Sequence, residues 1–205
     1  MRDKLIFAGL FVAGLAILGA SWWNLNAVSA QTTEVPADHD GPVMVIEVAG
    51  EANGTLRIAL RDDLAPNHVD RMVTLAESGA YDGVVFHRVI EGFMAQTGDV
   101  EHGGADGNPR FWGMGGSDLP DLEAEFSDED FARGVVGMAR SQSPDSANSQ
   151  FFIMFSAAPH LNGQYTVVGQ LMDGFEVLDA IKRGTGGNGA VTGDPDRMAR
   201  VTIER

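Results

Sequence analysis

The chain has 205 residues, of which 44% are hydrophobic and 21% are charged, which suffices for one sizeable domain and little more. Its 14 basic and 29 acidic side chains give a net charge of −15, which argues against any general affinity for the phosphate backbone of nucleic acids. The chain contains no cysteine, so disulfide frameworks, thiolate metal sites and thiol nucleophiles are excluded as well.

The first 30 residues follow the three-part plan of a secretory signal peptide. Two basic residues, Arg2 and Lys4, precede an uncharged apolar run over residues 5–20. The segment closes on the small residues 27–30. We therefore predict that residues 1–30 are a signal peptide or an N-terminal membrane anchor, and that the protein is periplasmic or secreted.

Two features of this segment point in opposite directions on whether it is removed. Val28 and Ala30 occupy the −3 and −1 positions of a cleavage site before Gln31, where small side chains are required. The pair Trp22-Trp23 instead suits the membrane interface of an uncleaved anchor. Cleavage is the favoured reading, and a membrane is a partner only if the segment is retained, in which case residues 5–23 would tether the protein to the inner membrane.

A polar, proline-containing linker over residues 31–42 separates this segment from the remaining domain, residues 43–205. Removal of residues 1–30 leaves 12 basic and 28 acidic side chains, a net charge of −16. The acidic character therefore belongs to the exported part, and it favours solubility over docking on anionic membranes.

The domain begins with β-type sequence and continues into a helix. The runs Val43–Val48 and Thr55–Leu60 flank Asn53-Gly54, which is a strong hairpin signal. Residues 65–79 have a proline near the start, apolar residues at i, i+3, i+4 and i+7, and a glycine at the end, so they predict an amphipathic helix. A second helix is predicted over Phe175–Arg183.

Further short strands are predicted along the rest of the chain. They are Val84–Val89, Phe93–Thr97, Val135–Ala139, Gln150–Phe155, Thr166–Leu171 and Arg197–Ile203. Many short strands, two helices and abundant glycine favour a mainly β fold, a closed β-barrel capped by helices. Residues 98–134, 141–149 and 184–195 carry little periodicity, and loops of this length are usually functional or mobile.

No metal or cofactor site is predicted. The histidines are scattered without metal-ligand spacing, and Asp38-His39-Asp40 lies in the polar linker, where solvation is the simpler explanation. The acidic run over residues 118–130 lacks the ligand order of a calcium loop and predicts a solvated loop anchored by Phe126 and Phe131. No Gly-x-Ser-x-Gly elbow supports a hydrolase.

Arg88 is the unusual residue of the predicted strand that contains it, because its neighbours are apolar. In a regular strand, Phe86, Arg88 and Ile90 would share one face. A cation on a mostly apolar surface needs a partner or a ligand. A structural salt bridge and a ligand contact account for this residue equally well.

Two apolar segments carry a specific set of motifs. The first contains Phe86-His87-Arg88-Val89-Ile90, Gly92-Phe93-Met94, Gln96 and Gly98-Asp99, and the second contains Gly137-Met138-Ala139 and Ser149-Gln150-Phe151-Phe152-Ile153. In this order they closely resemble the signature of cyclophilin-type peptidyl-prolyl cis–trans isomerases, and the resemblance extends over residues 43–204. It implies a closed eight-stranded antiparallel β-barrel with a helix at each end, and an isomerase domain over residues 43–205.

The resemblance also implies an activity and its residues. The enzyme would accelerate X–Pro isomerisation in proline-containing unfolded or partly folded polypeptides during the folding of exported proteins, as a monomer without a cofactor. Arg88 and Gln96 would be catalytic, with the Arg88 guanidinium as donor to the proline nitrogen. The substrate-binding residues would be Phe93, Met94, Ala139, Arg140, Gln150, Phe152, His160, Leu161 and Tyr165.

This sequence departs from the family pattern at three of these positions. His160 stands where many members carry Trp, which predicts weak cyclosporin binding because that Trp contacts the drug. Tyr165 replaces His at the pocket rim, and Arg140 replaces Asn in the groove. The alternative function is a peptide-binding or chaperone module that uses the same groove without essential catalysis.

Overall fold

The computed structural model describes residues 40–205, so the predicted leader and residues 31–39 of the linker lie outside the described residues. Nine strands form one sheet: β1 (Val43–Ala49), β2 (Gly54–Leu60), β3 (Val84–Val85), β4 (Arg88–Ile90), β5 (Met94–Thr97), β6 (Val135–Met138), β7 (Phe151–Met154), β8 (Val167–Asp173) and β9 (Arg197–Glu204). Within residues 40–205, two α-helices accompany the sheet, α1 (Pro66–Glu77) and α2 (Phe175–Ala180). Short 3₁₀ turns occupy Pro159–Leu161 and Gly187–Gly189.

The strand order is β3-β9-β1-β2-β8-β6-β7-β5-β4, and every neighbouring pair is antiparallel. The predicted hairpin is confirmed, since β1 pairs with β2 and Val48 lies opposite Gly54. The mainly β class and the two predicted helices are confirmed as well. The fold is thus a strongly curled antiparallel sheet with two helices.

The predicted strand Val84–Val89 is divided in the structure, and this division changes the strand count from eight to nine. Its first half, β3, pairs with β9, and its second half, β4, pairs with β5. Between them, the Phe86 N–H donates to the carbonyl of Asp196 in a loop. The two halves are the outer edges of the sheet, although only two residues, Phe86 and His87, lie between them in sequence.

The two edge strands, β3 and β4, are not joined to each other by a ladder of backbone hydrogen bonds in the described structure. Among residues 40–205 no backbone pairing joins β3 to β4, so a closed eight-stranded barrel is not confirmed. One side chain crosses between the edge regions, where the Thr97 hydroxyl donates to the Val85 carbonyl at 3.0 Å. The division also separates Phe86 from Arg88: Phe86 is buried in the main core, whereas Ile90 packs against a second cluster. The prediction of one shared face is therefore wrong for Phe86, because the strand is not regular.

The helices differ in how well their ends were predicted. Helix α1 buries one face through Val69, Met72 and Leu75, as its periodicity predicts. Helix α2 ends at Ala180, three residues earlier than predicted. The next residue, Ile181, is buried with extended ψ, because the chain turns there to bring the Lys182 N–H onto the Asp196 carboxylate at 2.7 Å.

Apolar side chains form two clusters. The larger is the main core, with Met44, Ile46 and Val48 of β1 alternating with outward residues at the period of two expected for a strand. The smaller lies on the other face of β5 to β7 and includes Met94 and Phe152. Within residues 40–205, no helix combines the length and hydrophobicity that a membrane crossing needs.

Candidate functional site

A row of residues crosses the outer face of four strands. In the antiparallel register Arg88 of β4 lies opposite Gln96 of β5, Gln96 opposite Phe152 of β7, and Phe152 opposite Gly137 of β6. Directly opposed residues on one face have neighbouring side chains. The sheet therefore places a guanidinium, an amide and an aromatic ring side by side, although up to 64 residues separate them in the chain.

These residues line a pocket of about 160 Å³ on the smaller apolar cluster. Its walls are Arg88, Phe93, Met94, Gln96, Ala139, Arg140, Phe152, Leu161 and Tyr165. Phe152 meets the Tyr165 ring edge-on at 5.9 Å, and Phe131 beneath stacks on Phe152 at 5.8 Å. The pocket floor is thus a fixed aromatic surface with a cation at one side.

The Arg88 guanidinium is held from two directions. Its Nη1 donates to Gln96 Oε1 at 3.0 Å and lies 3.8 Å from the Met94 sulfur. On the other side, Nε donates to the Asn188 carbonyl at 3.0 Å and Nη2 to Asn188 Oδ1 at 3.1 Å. Burial lowers the pKa of Arg88 below its ordinary value, but an arginine remains protonated throughout the physiological range. The structure shows no carboxylate bonded to this guanidinium in the part of the chain that it describes, so its charge is not neutralised by a salt bridge.

A second, larger pocket adjoins the first. It has a volume of about 390 Å³ and shares Gln96, Ala139 and Arg140 with the first pocket. Its outer wall is the loop segment 113–117, and Gln150 forms part of its floor. The two pockets form a continuous groove along the outer face of the sheet.

Most of the predicted site residues come together in the structure, and two lie outside the smaller pocket. Gln150 lies in the adjoining pocket, where its Oε1 accepts a hydrogen bond from Gln96 Nε2 at 3.0 Å. His160 stacks on Phe93, with ring centroids 5.7 Å apart, so it supports the Phe93 ring without lining the pocket. The other nine predicted residues line the smaller pocket.

The rim of the groove carries a second arginine, Arg140. Its guanidinium lies over the Tyr165 ring at 4.5 Å. It also donates to the Gln164 carbonyl at 3.0 Å and to the Ser141 carbonyl at 3.0 Å. These contacts hold Arg140 flat along the rim and fix the orientation of Tyr165.

Asn188 belongs to the site, although no sequence motif marked it. Asn188 has a positive φ of 54°, and its backbone and side-chain oxygens both accept from Arg88. The dipeptide Asn188-Gly189 in a glycine-rich loop is a turn signal, and asparagine tolerates this backbone conformation well. The signal was local, whereas the contact joins residues 100 positions apart.

The chemistry available to this site is the donation of hydrogen bonds to a bound group. The pocket offers a fixed cationic donor, an amide and apolar walls, and none of its lining residues is an aspartate, glutamate or histidine. No cluster of three or more metal-ligating side chains occurs within residues 40–205. A group that reacts here would be polarised by Arg88, without covalent attack from the pocket walls.

Comparison with known proteins identifies close similarity over most of the chain. The family model described as cyclophilin type peptidyl-prolyl cis-trans isomerase/CLD matches residues 43–203. A probable peptidyl-prolyl cis-trans isomerase of Brucella suis is 47% identical over 191 residues, covering 92% of this chain and 95% of that protein. A peptidyl-prolyl cis-trans isomerase of Arabidopsis thaliana is 39% identical over 150 residues, covering 73% of this chain and 90% of that protein.

Solved structures show the same similarity in three dimensions. A cyclophilin type peptidyl-prolyl cis-trans isomerase of Cryptosporidium parvum, crystallised in the presence of the dipeptide Ala-Pro, has a TM-score of 0.66 at 28% identity, covering 80% of this chain and 99% of that chain. A cyclophilin from Hirschia baltica has a TM-score of 0.62 at 24% identity, covering 78% of this chain and 73% of that chain. The second similarity concerns the fold alone.

Proposed function

Because this chain belongs to the cyclophilin-type peptidyl-prolyl cis–trans isomerase family, we propose that the pocket beside Arg88 binds the proline ring of a substrate polypeptide and that Arg88 is the catalytic donor. The observation that carries the proposal is the Arg88 guanidinium at the wall of an apolar pocket, which is held by Gln96 and Asn188 and by no carboxylate of residues 40–205. The Ala-Pro dipeptide named with the Cryptosporidium relative is consistent with a proline-containing substrate.

The chemistry follows from the amide bond. Resonance gives the X–Pro bond a rotational barrier of about 18–20 kcal/mol, and the uncatalysed bond isomerises in tens to hundreds of seconds. As the bond twists, the nitrogen becomes pyramidal and its lone pair becomes basic. A donor against that nitrogen stabilises the twisted state more than the planar one, which lowers the barrier.

The other residues of the groove would hold the substrate during this rotation. Phe93, Met94, Phe152 and Leu161 would hold the proline ring in the apolar pocket. Gln96 uses its Oε1 on Arg88 and one N–H on Gln150, which leaves its second amide N–H for a substrate carbonyl. Ala139, Arg140 and Gln150 would bind the residues before proline as an extended strand.

Substitution of Arg88 tests the mechanism. We expect Arg88→Ala to lower kcat/KM for a proline-containing tetrapeptide by roughly a hundredfold or more, the usual effect of removing a transition-state donor. Arg88→Lys should recover only part of this loss, since an ammonium lacks the planar fork of donors. The measurement is the cis-to-trans rate of the peptide, with circular dichroism to verify the fold.

A matched control is Arg57→Ala, which removes an arginine that pairs with Glu204 at the other side of the sheet and should leave kcat/KM unchanged. Near-full activity of Arg88→Ala would contradict the mechanism. The peptide-binding or chaperone alternative would stand instead if Arg88→Ala lost isomerase activity yet fully retained its assistance to the refolding of a denatured protein.

The proposal extends to the cellular setting. A leader-like segment precedes the domain, and the remainder has a net charge of −16 without any cysteine, which suits a soluble exported protein. We propose that the clients are exported polypeptides and that the enzyme acts as a monomer in the periplasm or outside the cell. Weak cyclosporin binding is also proposed, because His160 offers a smaller ring than Trp at that position.

A further inference from the structure

Asp99 is a fully buried carboxylate just after β5, and it accepts four backbone hydrogen bonds. Its Oδ1 accepts from the N–H groups of Glu101 at 3.2 Å and His102 at 2.9 Å. Its Oδ2 accepts from Gly113 at 2.7 Å and Gly115 at 3.2 Å. One side chain thus connects the start of the loop over residues 98–134 to a segment of the same loop about 14 residues further along.

The backbone of the fastened segment packs closely against its neighbours at Gly113 and Gly115. A Cβ on Gly115 would lie 2.6 Å from Asp99 Oδ1 and 2.7 Å from the Cβ of Glu101. A Cβ on Gly113 would lie 2.8 Å from the His87 ring. The backbone of residues 113–115 is therefore clamped between Asp99 and His87, both of which are buried.

The fixed position of Gly115 sets the direction of a series of hydrogen bonds that runs from Gly115 to Arg88. The Gly115 carbonyl can only accept, so Gln150 must turn its amide NH₂ towards it, at 2.8 Å. The Gln150 oxygen is then left to accept from Gln96 Nε2 at 3.0 Å. Gln96 in turn presents its oxygen to Arg88, which can only donate. Each amide has one possible orientation, because this series of hydrogen bonds begins at a group that only accepts, the Gly115 carbonyl, and ends at one that only donates, the Arg88 guanidinium.

We propose that Asp99 is a positioning residue for isomerisation: by accepting from the Gly115 N–H it sets the position of the Gly115 carbonyl, which orients Gln150 and Gln96 and so fixes the Arg88 guanidinium at the proline pocket. Asp99 itself is buried and lines neither of the two pockets. The inference rests on the proposed isomerase function of that site.

The test is Asp99→Asn, an isosteric change. Asparagine keeps one acceptor oxygen and turns an NH₂ group towards N–H donors, so two of the four bonds are lost. We expect kcat/KM for a proline-containing tetrapeptide to fall on the order of tenfold, chiefly in kcat, since the catalytic group is misplaced while the apolar pocket remains. In ¹⁵N-labelled protein, the side-chain amide signals of Gln96 and Gln150 should shift.

A double-mutant cycle separates positioning from general destabilisation. In the Gln150→Ala background the series of hydrogen bonds from Gly115 to Arg88 is already interrupted. Adding Asp99→Asn should therefore lower kcat/KM by less than twofold further. The matched control is Asp196→Asn, another buried aspartate that accepts backbone N–H groups, from Ala52 and Lys182, away from the groove. It should lower the melting temperature and leave kcat/KM within twofold of the wild type.

Three results would overturn the proposal: a folded Asp99→Asn protein with kcat/KM within twofold of the wild type, an equal loss with and without Gln150, or an equal loss in Asp196→Asn. If Asp99→Asn does not fold, Gly115→Ala, which pushes the same segment off Asp99, is judged by the same criteria. An inactive wild-type protein would instead refute the isomerase function, and the amide signals would still report whether Asp99 orients the two glutamines.

Discussion

His87 shows how burial changes the chemistry of a single residue in this protein. The ring is buried next to Arg88, between the sheet and the loop that bears Gly113. Burial lowers the pKa of His87 to about 4, although the nearby Asp99 carboxylate acts in the opposite direction. The imidazole is therefore neutral in the folded protein at pH 7, and it adds no second cation beside Arg88.

The lowered pKa of His87 predicts a loss of stability in mild acid. In the unfolded chain this histidine binds a proton near pH 6.5, whereas in the folded protein it does so only near pH 4. Its contribution to stability is thus complete above pH 6.5 and is lost as the pH falls towards 4. Between pH 7 and pH 5 we expect a loss of about 2 kcal/mol in the free energy of unfolding.

Urea denaturation at pH 7 and pH 5 measures this effect, with His87→Gln as the comparison because glutamine does not titrate. The difference between the two pH values should be smaller in His87→Gln by that amount. Equal pH dependence of the wild type and the variant would show that His87 does not carry the effect.

Among the elements, helix α1 has an unusual N-terminus. The residue before it, Ala65, offers no side-chain cap. Glu125, from the acidic run predicted to be a solvated loop, takes that role instead: its carboxylate accepts from the backbone N–H groups of Asn67 at 3.2 Å and His68 at 3.0 Å. It also lies 2.5 Å from Nδ1 of the buried His68 ring. A carboxylate at this position satisfies the free N–H groups and suits the helix dipole.

This contact predicts that Glu125→Gln is destabilising at neutral pH. Partial burial acts to raise the pKa of Glu125, but the hydrogen bonds from His68 and Asn67 together hold it below its ordinary value. A lowered pKa means that the stabilisation is present above the unfolded pKa and is lost as the pH falls through the folded one. We expect Glu125→Gln to cost about 1–2 kcal/mol at pH 7, measured by urea denaturation.

The difference between the wild type and Glu125→Gln should shrink as the pH drops below the unfolded value of 4.5. Glu123→Gln is a suitable control, because Glu123 lies two residues away and is exposed. A Glu125→Gln protein as stable as this control at pH 7 would show that the carboxylate does not cap the helix.

Local pattern predicted the elements well and their partners poorly. The hairpin β1–β2 and helix α1 follow from turn chemistry and periodicity, which are local properties. The division of Val84–Val89 could not be predicted, because it depends on which distant strand each half joins. The prediction for the acidic run, residues 118–130, is correct for one of its two anchors: Phe131 is buried, but Phe126 is 43% exposed and does not anchor the loop.

The candidate site has the same division between what the sequence predicts and what it does not. A cation in an apolar segment marks Arg88 from the sequence, and the motif resemblance supplied the other pocket residues. Asn188 accepts hydrogen bonds from Arg88 across 100 residues, and the Asp99 carboxylate accepts from Gly113 across 14, so neither contact can be predicted from a local pattern. Both contacts depend on how the curled sheet and its loops are arranged in three dimensions.

At the scale of the whole molecule, the groove is separate from the main core. The pocket beside Arg88 rests on the smaller cluster at the outer face of β5 to β7, whereas the larger cluster fills the other side of the sheet. Substitutions at polar groove residues such as Gln96 therefore leave the main core filled. This separation makes kinetic variants of the site interpretable without a large change in stability.

The predicted order of leader, linker and domain implies where the mature protein would begin. Small residues at Val28 and Ala30 favour cleavage before Gln31, which precedes the first strand at Val43 by 12 residues in sequence. We expect N-terminal sequencing of the exported protein to begin at Gln31. Ala30→Asp should block processing, because a charged residue does not fit the −1 position, and the protein should then keep its leader in the membrane fraction. A wild-type protein that retains residues 1–30 in the membrane would establish the anchored form instead.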